Sequence, residues 1–110
     1  MHRINLKPIS VNEAYRGRRF ATPKLKQFKH DLAMMLPYLK VPAGRISVVY
    51  QFGVSSKQSD GDNLIKAFQD SVAERYGFND KMIYEWHIKK VDVTKGNEYI
   101  EFSICPQSDV

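Results

Sequence analysis

With 110 residues, 43% of them hydrophobic, and a net charge of +5 from 17 Lys and Arg against 12 Asp and Glu, the chain has the size and balance of one small globular domain spanning 1–110. A lone cysteine, Cys105, excludes an internal disulfide, and no amino-terminal apolar run suggests a signal peptide or a membrane span, so a cytoplasmic setting is expected. The positive surplus points to an acidic partner and is unevenly spread: residues 1–45 hold ten Lys/Arg against two Asp/Glu, whereas residues 46–110 hold seven against ten.

Along the chain, Arg3 to Leu6 reads as a short first strand, and Pro8 to Ala21 as an irregular basic loop. Arg16, Arg18 and Arg19, followed by Lys24, Lys26 and Lys29, form a run suited to phosphates, although a solvated surface accounts equally well for each of the lysines. Thr22-Pro23 has the form of an N-cap with proline at the first helical position. Leu25, Phe28, Leu32 and Met35 or Leu36 supply the apolar stripe of that helix, and Pro37 ends it. Pro42-Ala43-Gly44 marks a turn. From Ile46 to Val54, apolar residues alternate with Ser47, Gln51 and Gly53, predicting a strand with one face more buried than the other.

A second helix follows that strand. Leu64, Ile65, Phe68, Val72 and Tyr76 keep helical spacing, while Asp62, Lys66 and Asp70 fall on a polar face at i, i+4 and i+8. Ser59 or Asp60 is the expected N-cap, and Gly77 breaks the helix and lets the chain fold back. Ile83 to Val93 reads as a second long strand, Thr94-Lys95-Gly96-Asn97 as a hairpin turn, and Glu98 to Ile104 as the closing strand, with Cys105 at its end as a small buried hydrophobe. The expected fold class is α+β, in the order β-α-β-α-β-β, a mixed sheet carrying two helices.

Chemistry concentrates between Asp60 and Asp80. Asp60 and Asp62 are two residues apart, so on extended chain they project to one side, and Asp80 can return to the same place after the Gly77 break. Three carboxylates suit Mg²⁺, which takes oxygen ligands and keeps part of its water shell. Taken alone, D-x-D before a helix is more often capping and surface charge than metal ligation. Tyr84, Trp86 and Ile88 share a strand face that suits a core or a contact between subunits. His2, His30 and His87 lack the spacing of metal ligands.

The run Asp60-Gly61-Asp62-Asn63-Leu64-Ile65-Lys66-Ala67 resembles the D-x-D-N-L-x-K-A core of the RusA family of Holliday-junction resolvases, found in bacteria and phages. Pro8-Ile9-Ser10-Val11-Asn12 with Tyr15-Arg16 is similar to that family's amino-terminal P-P-S-x-N segment, Gly77-Phe78-Asn79-Asp80 to its G-x-x-x-D-D region, and Val93-Thr94-Lys95-Gly96 to its penultimate hairpin. Three positions differ: Ile9 replaces a proline, Ser59 stands where relatives often carry a basic residue, and Asn79 where they have a second acid. The resemblance implies Asp60, Asp62 and Asp80 as ligands of Mg²⁺, with Mn²⁺ as a substitute, and Lys66 as the catalytic lysine. It also implies a homodimer that resolves four-way junctions by paired symmetric nicks in DNA recombination and repair. Asn12, Tyr15, Arg16, Arg18, Arg19, Lys24 and Lys57 are the expected DNA contacts. Two other functions fit the same residues: a non-catalytic DNA-binding module, or a metal-dependent nuclease acting on flaps or forks.

Overall fold

The computed structural model describes residues 1–16, 20–56 and 61–107. Strand β1 (His2–Ile4) is followed by a one-turn helix α1 (Val11–Ala14), a two-stranded ribbon β2 (Tyr15–Arg16) and β3 (Phe20–Ala21), and helix α2 (Pro23–Met35). Strand β4 (Ile46–Val54), helix α3 (Gly61–Tyr76), a 3₁₀ turn at Asp80–Met82, and strands β5 (Ile83–Asp92) and β6 (Tyr99–Pro106) complete the order. The short β1 and the three long strands form one mixed sheet in the order β1-β6-β4-β5, with β4 parallel to β5 and antiparallel to β6.

Helix α2 begins and ends where its punctuation says. Thr22 caps it by accepting from the Leu25 amide at 3.3 Å, and Pro23 occupies the first turn, where its missing N–H costs nothing. Leu25, Phe28 and Leu32 are buried, and Leu36 completes the stripe in place of the half-exposed Met35. The region expected to be irregular holds a third helix. Ser10 is the N-cap that starts α1, its hydroxyl accepting from the Glu13 amide at 3.3 Å and lying 3.2 Å from the Glu13 carboxylate, to which it donates. Thr22 then ties α2 to α1, donating its hydroxyl to the carbonyl of Glu13 at 2.6 Å.

β4 is the centre of the sheet because it is the most apolar strand. Ile46, Val48, Tyr50 and Phe52 are almost wholly buried on the face that receives the helices. Phe68 of α3 meets Tyr50, Phe52 and Phe102 edge-on, with ring centroids 5.1 to 5.9 Å apart. Aromatic contacts of this kind fix the rotation of α3 about its axis. Leu64, Ala67 and Val72 fill the remaining space below it.

Two further expectations are corrected. β5 and β6 are not paired as a hairpin. A turn does form at residues 94–97, closed by the Asn97 amide on the Thr94 carbonyl at 3.0 Å, but β4 lies between the two strands. The apolar β4 gains more burial at the centre, while β5, carrying Glu85, Lys89, Lys90 and Asp92, keeps those charges at an edge of the sheet. Cys105 is exposed rather than buried, since it pairs with Ser47 on the solvent-facing side of β4.

Candidate active site

Packing of Leu64, Ala67, Phe68 and Val72 against the sheet leaves the opposite stripe of α3 outward, and Asp62, Lys66 and Asp70 lie along it on successive turns. Asp80 reaches the same place from the far end of the helix. Gly77 closes α3 with φ +72°, a conformation that carries a steric penalty for residues with a Cβ, and both the Gly77 and Phe78 amides bond the Ala73 carbonyl. Asn79 then caps the 3₁₀ turn by accepting from the Lys81 amide at 2.9 Å. A side-chain acceptor is what the position needs structurally, and an amide supplies it without adding charge.

Together these segments form an open groove of about 440 Å³, whose lining includes Asp62, Lys66, Asp70 and Asp80. Trp86 of β5 and Gln69 of α3 line it as well. The Lys66 ammonium lies 3.4 Å from the Asp70 carboxylate and 5.7 Å from the centre of the Tyr15 ring. The amino-terminal segment and α3 therefore meet at this lysine. Lysine preceding its acid by four residues is the less favourable order on a helix, and such an exposed pair contributes only about 0.3 kcal/mol. The ion pair does little to hold Lys66 in place.

No known family model matches the chain, and no curated protein matches its sequence. The site is therefore judged on its own chemistry.

Oxygen donors dominate the groove, and among the described residues neither His nor Cys lines it, which suits a hard cation such as Mg²⁺ or Mn²⁺ better than Zn²⁺. Among the described residues, no three His, Cys, Asp or Glu side chains converge on a single cation position. Asp62 and Asp80 share the groove, and the third expected ligand, Asp60, lies outside the described residues, as do Ser59, Lys57, Arg18 and Arg19. Of the remaining expected DNA contacts, Tyr15 is brought to Lys66, Asn12 is exposed on α1, and Arg16 contributes backbone to β2. Lys24 is not brought to the acidic groove. It lies 3.7 Å from the Glu13 carboxylate and lines a separate depression with Gln27 and Asp31.

Besides the apolar Ile65, three groove residues were not among the expected site: Asp70, Gln69 and Trp86. Asp70 was visible as the third member of the polar stripe. Trp86 and Gln69 have no local signal, because their meeting depends on where β5 docks beside α3. The Gln69 side-chain oxygen accepts from the Trp86 indole at 2.8 Å and from the Tyr50 hydroxyl at 3.1 Å. Burial pushes the Tyr50 phenol well above its ordinary pKa, with the nearby Asp80 charge adding to the effect, so the hydroxyl stays protonated and donates.

Proposed function

We propose that this chain is a Mg²⁺-dependent, structure-selective endodeoxyribonuclease that nicks four-way DNA junctions in symmetric pairs. The observation that carries this reading is that Asp62, in the first turn of α3, and Asp80, beyond its last turn, line one groove with Lys66. Carboxylates alone would repel a phosphodiester, whereas carboxylates that hold a cation beside a lysine can receive one. A divalent ion bound there would supply Lewis acidity. Asp62 and Asp80, with Asp60, would provide its oxygen donors, and Lys66 would offset charge that builds on the phosphate oxygens or on the departing 3′-oxygen. The products are 5′-phosphate and 3′-hydroxyl ends.

Paired cuts require two such sites. A two-fold homodimer provides them and matches the symmetry of a four-way junction. Among the described residues no helix is long and apolar enough to cross a membrane, and a cytoplasmic role in recombination and repair, in a bacterium or a phage, is part of the same proposal. The test is to incubate the purified protein with labelled four-way junction, flap and linear duplex in Mg²⁺ and in EDTA. Symmetric junction nicks in Mg²⁺ alone are expected. Preferential cutting of flaps would reassign the substrate, and binding of all three DNAs without cleavage would leave a DNA-binding module.

A further inference from the structure

Trp86 is 46% exposed, although it sits within hydrogen-bonding reach of the core. Its indole N–H is already satisfied by Gln69, whose oxygen is held from below by Tyr50, itself fully buried against Phe52 and Phe68. The ring is thus positioned by a relay of two hydrogen bonds that begins in the core, and a surface tryptophan needs no such anchoring merely to be tolerated. In the sheet register Trp86 is the partner of Val48, whose side chain is in the core, so the indole stands on the helix-bearing face and forms one wall of the acidic groove. Neither cation binding by the aspartates nor charge neutralisation by Lys66 uses an apolar plane at that position.

We infer that Trp86 is a stacking platform for a nucleobase of the DNA strand whose phosphate enters the groove, with Gln69 and Tyr50 as its positioning residues. This rests on the nuclease reading above and adds a binding residue to it. A cation that meets phosphate beside a fixed aromatic ring that meets a base is the pairing of features used by grooves that hold unpaired nucleic-acid strands. The bases nearest a branch point are the ones free to leave their stack at modest cost. Trp86 therefore favours DNA with unpaired or readily unstacked bases beside the scissile phosphate over continuous duplex.

The chain has one tryptophan, so its intrinsic emission reports on Trp86 alone. The wild-type protein is titrated with four-way junction, single-stranded oligonucleotide and linear duplex in Mg²⁺, following indole emission and its quenching by acrylamide, with binding read independently by gel shift. Junction and single strand are expected to quench the emission and shield the ring from acrylamide, and duplex to do so much less. Trp86→Ala should weaken junction binding about ten- to a hundredfold, with the loss appearing in KM rather than kcat, and Trp86→Phe should recover most of it. Gln69→Leu should give an intermediate loss. Saturating junction binding with unchanged emission and acrylamide access would overturn the inference while leaving the nuclease reading intact. A blue shift that grows with protein concentration in the absence of DNA would place Trp86 in a contact between two copies, and would also overturn it. Failure to bind or nick any of the DNAs in Mg²⁺ would overturn the nuclease reading, and the inference with it.

Discussion

Lys66 and Asp62 stand one helical turn apart on the exposed stripe of α3, and neither contributes to the core beneath them. Their removal can therefore be read as chemistry rather than as unfolding. Asp62→Asn keeps the shape of the side chain and removes its charge, so cation binding and junction nicking should both fall, the latter by about a hundredfold or more. Lys66→Ala should produce a similar fall in nicking with cation binding retained, and a stability change below about 0.5 kcal/mol because its pair with Asp70 is exposed. Single-turnover nicking rates, a calorimetric Mg²⁺ titration and a urea melt of each variant separate these outcomes. Wild-type nicking by Asp62→Asn would remove it from the site, and lost cation binding in Lys66→Ala would mean that the lysine shapes the carboxylate cluster instead.

At the scale of elements, the site depends on how α3 ends. Gly77 turns the chain at φ +72° and Asn79 caps the next turn, so that Asp80 is delivered to the groove that begins at Asp62. Nothing crowds a Cβ added at Gly77, so Gly77→Ala isolates the backbone penalty, about 1–2 kcal/mol in a urea melt. If Asp80 is a ligand, the same variant should lose cation affinity beyond what its lower stability explains. Most element boundaries were legible: Thr22-Pro23 and Pro37 bracket α2, the alternation of Ile46 to Val54 matches β4, and Gly77 closes α3. The α1 turn and the β2–β3 ribbon were not read from the sequence, where Pro8 to Ala21 reads as an irregular basic loop; the Ser10-x-x-Glu13 spacing is the local signal that starts α1.

At the scale of the whole molecule, folding changes the titration of two tyrosines, one of which, Tyr50, hydrogen-bonds the groove residue Gln69. Tyr50 and Tyr76 both have phenols pushed above their ordinary value of 10.0 by burial. Each favours folding while the phenol is protonated in both states. Above about pH 10 the unfolded chain gains by ionising these phenols and the folded chain does not, so stability falls as pH rises through that range. Tyr50 is the more buried and should account for more of the fall. Tyr50→Phe is expected to flatten the decline in urea midpoint between neutral pH and about pH 11 relative to wild type, and an unchanged slope would show that Tyr50 does not carry it.

The sequence by itself determined the local structure and the chemical vocabulary of the groove. Helical spacing put Asp62, Lys66 and Asp70 on one face, and the glycine after Tyr76 required the chain to turn where Asp80 follows. Those are short-range consequences of backbone sterics and of a period of 3.6 residues per turn. The tertiary structure decided the strand order and, through it, the walls of the site. A turn at residues 94–97 looks the same whether the strands beside it pair with each other or straddle a third, and the choice fell to the burial gained by β4 at the centre of the sheet. Only with β5 parallel to β4 does Trp86 reach Gln69 and face the carboxylates, and only the packing of α1 on α3 brings Tyr15 within 5.7 Å of Lys66. Such contacts join residues distant in the chain, and no local pattern encodes them.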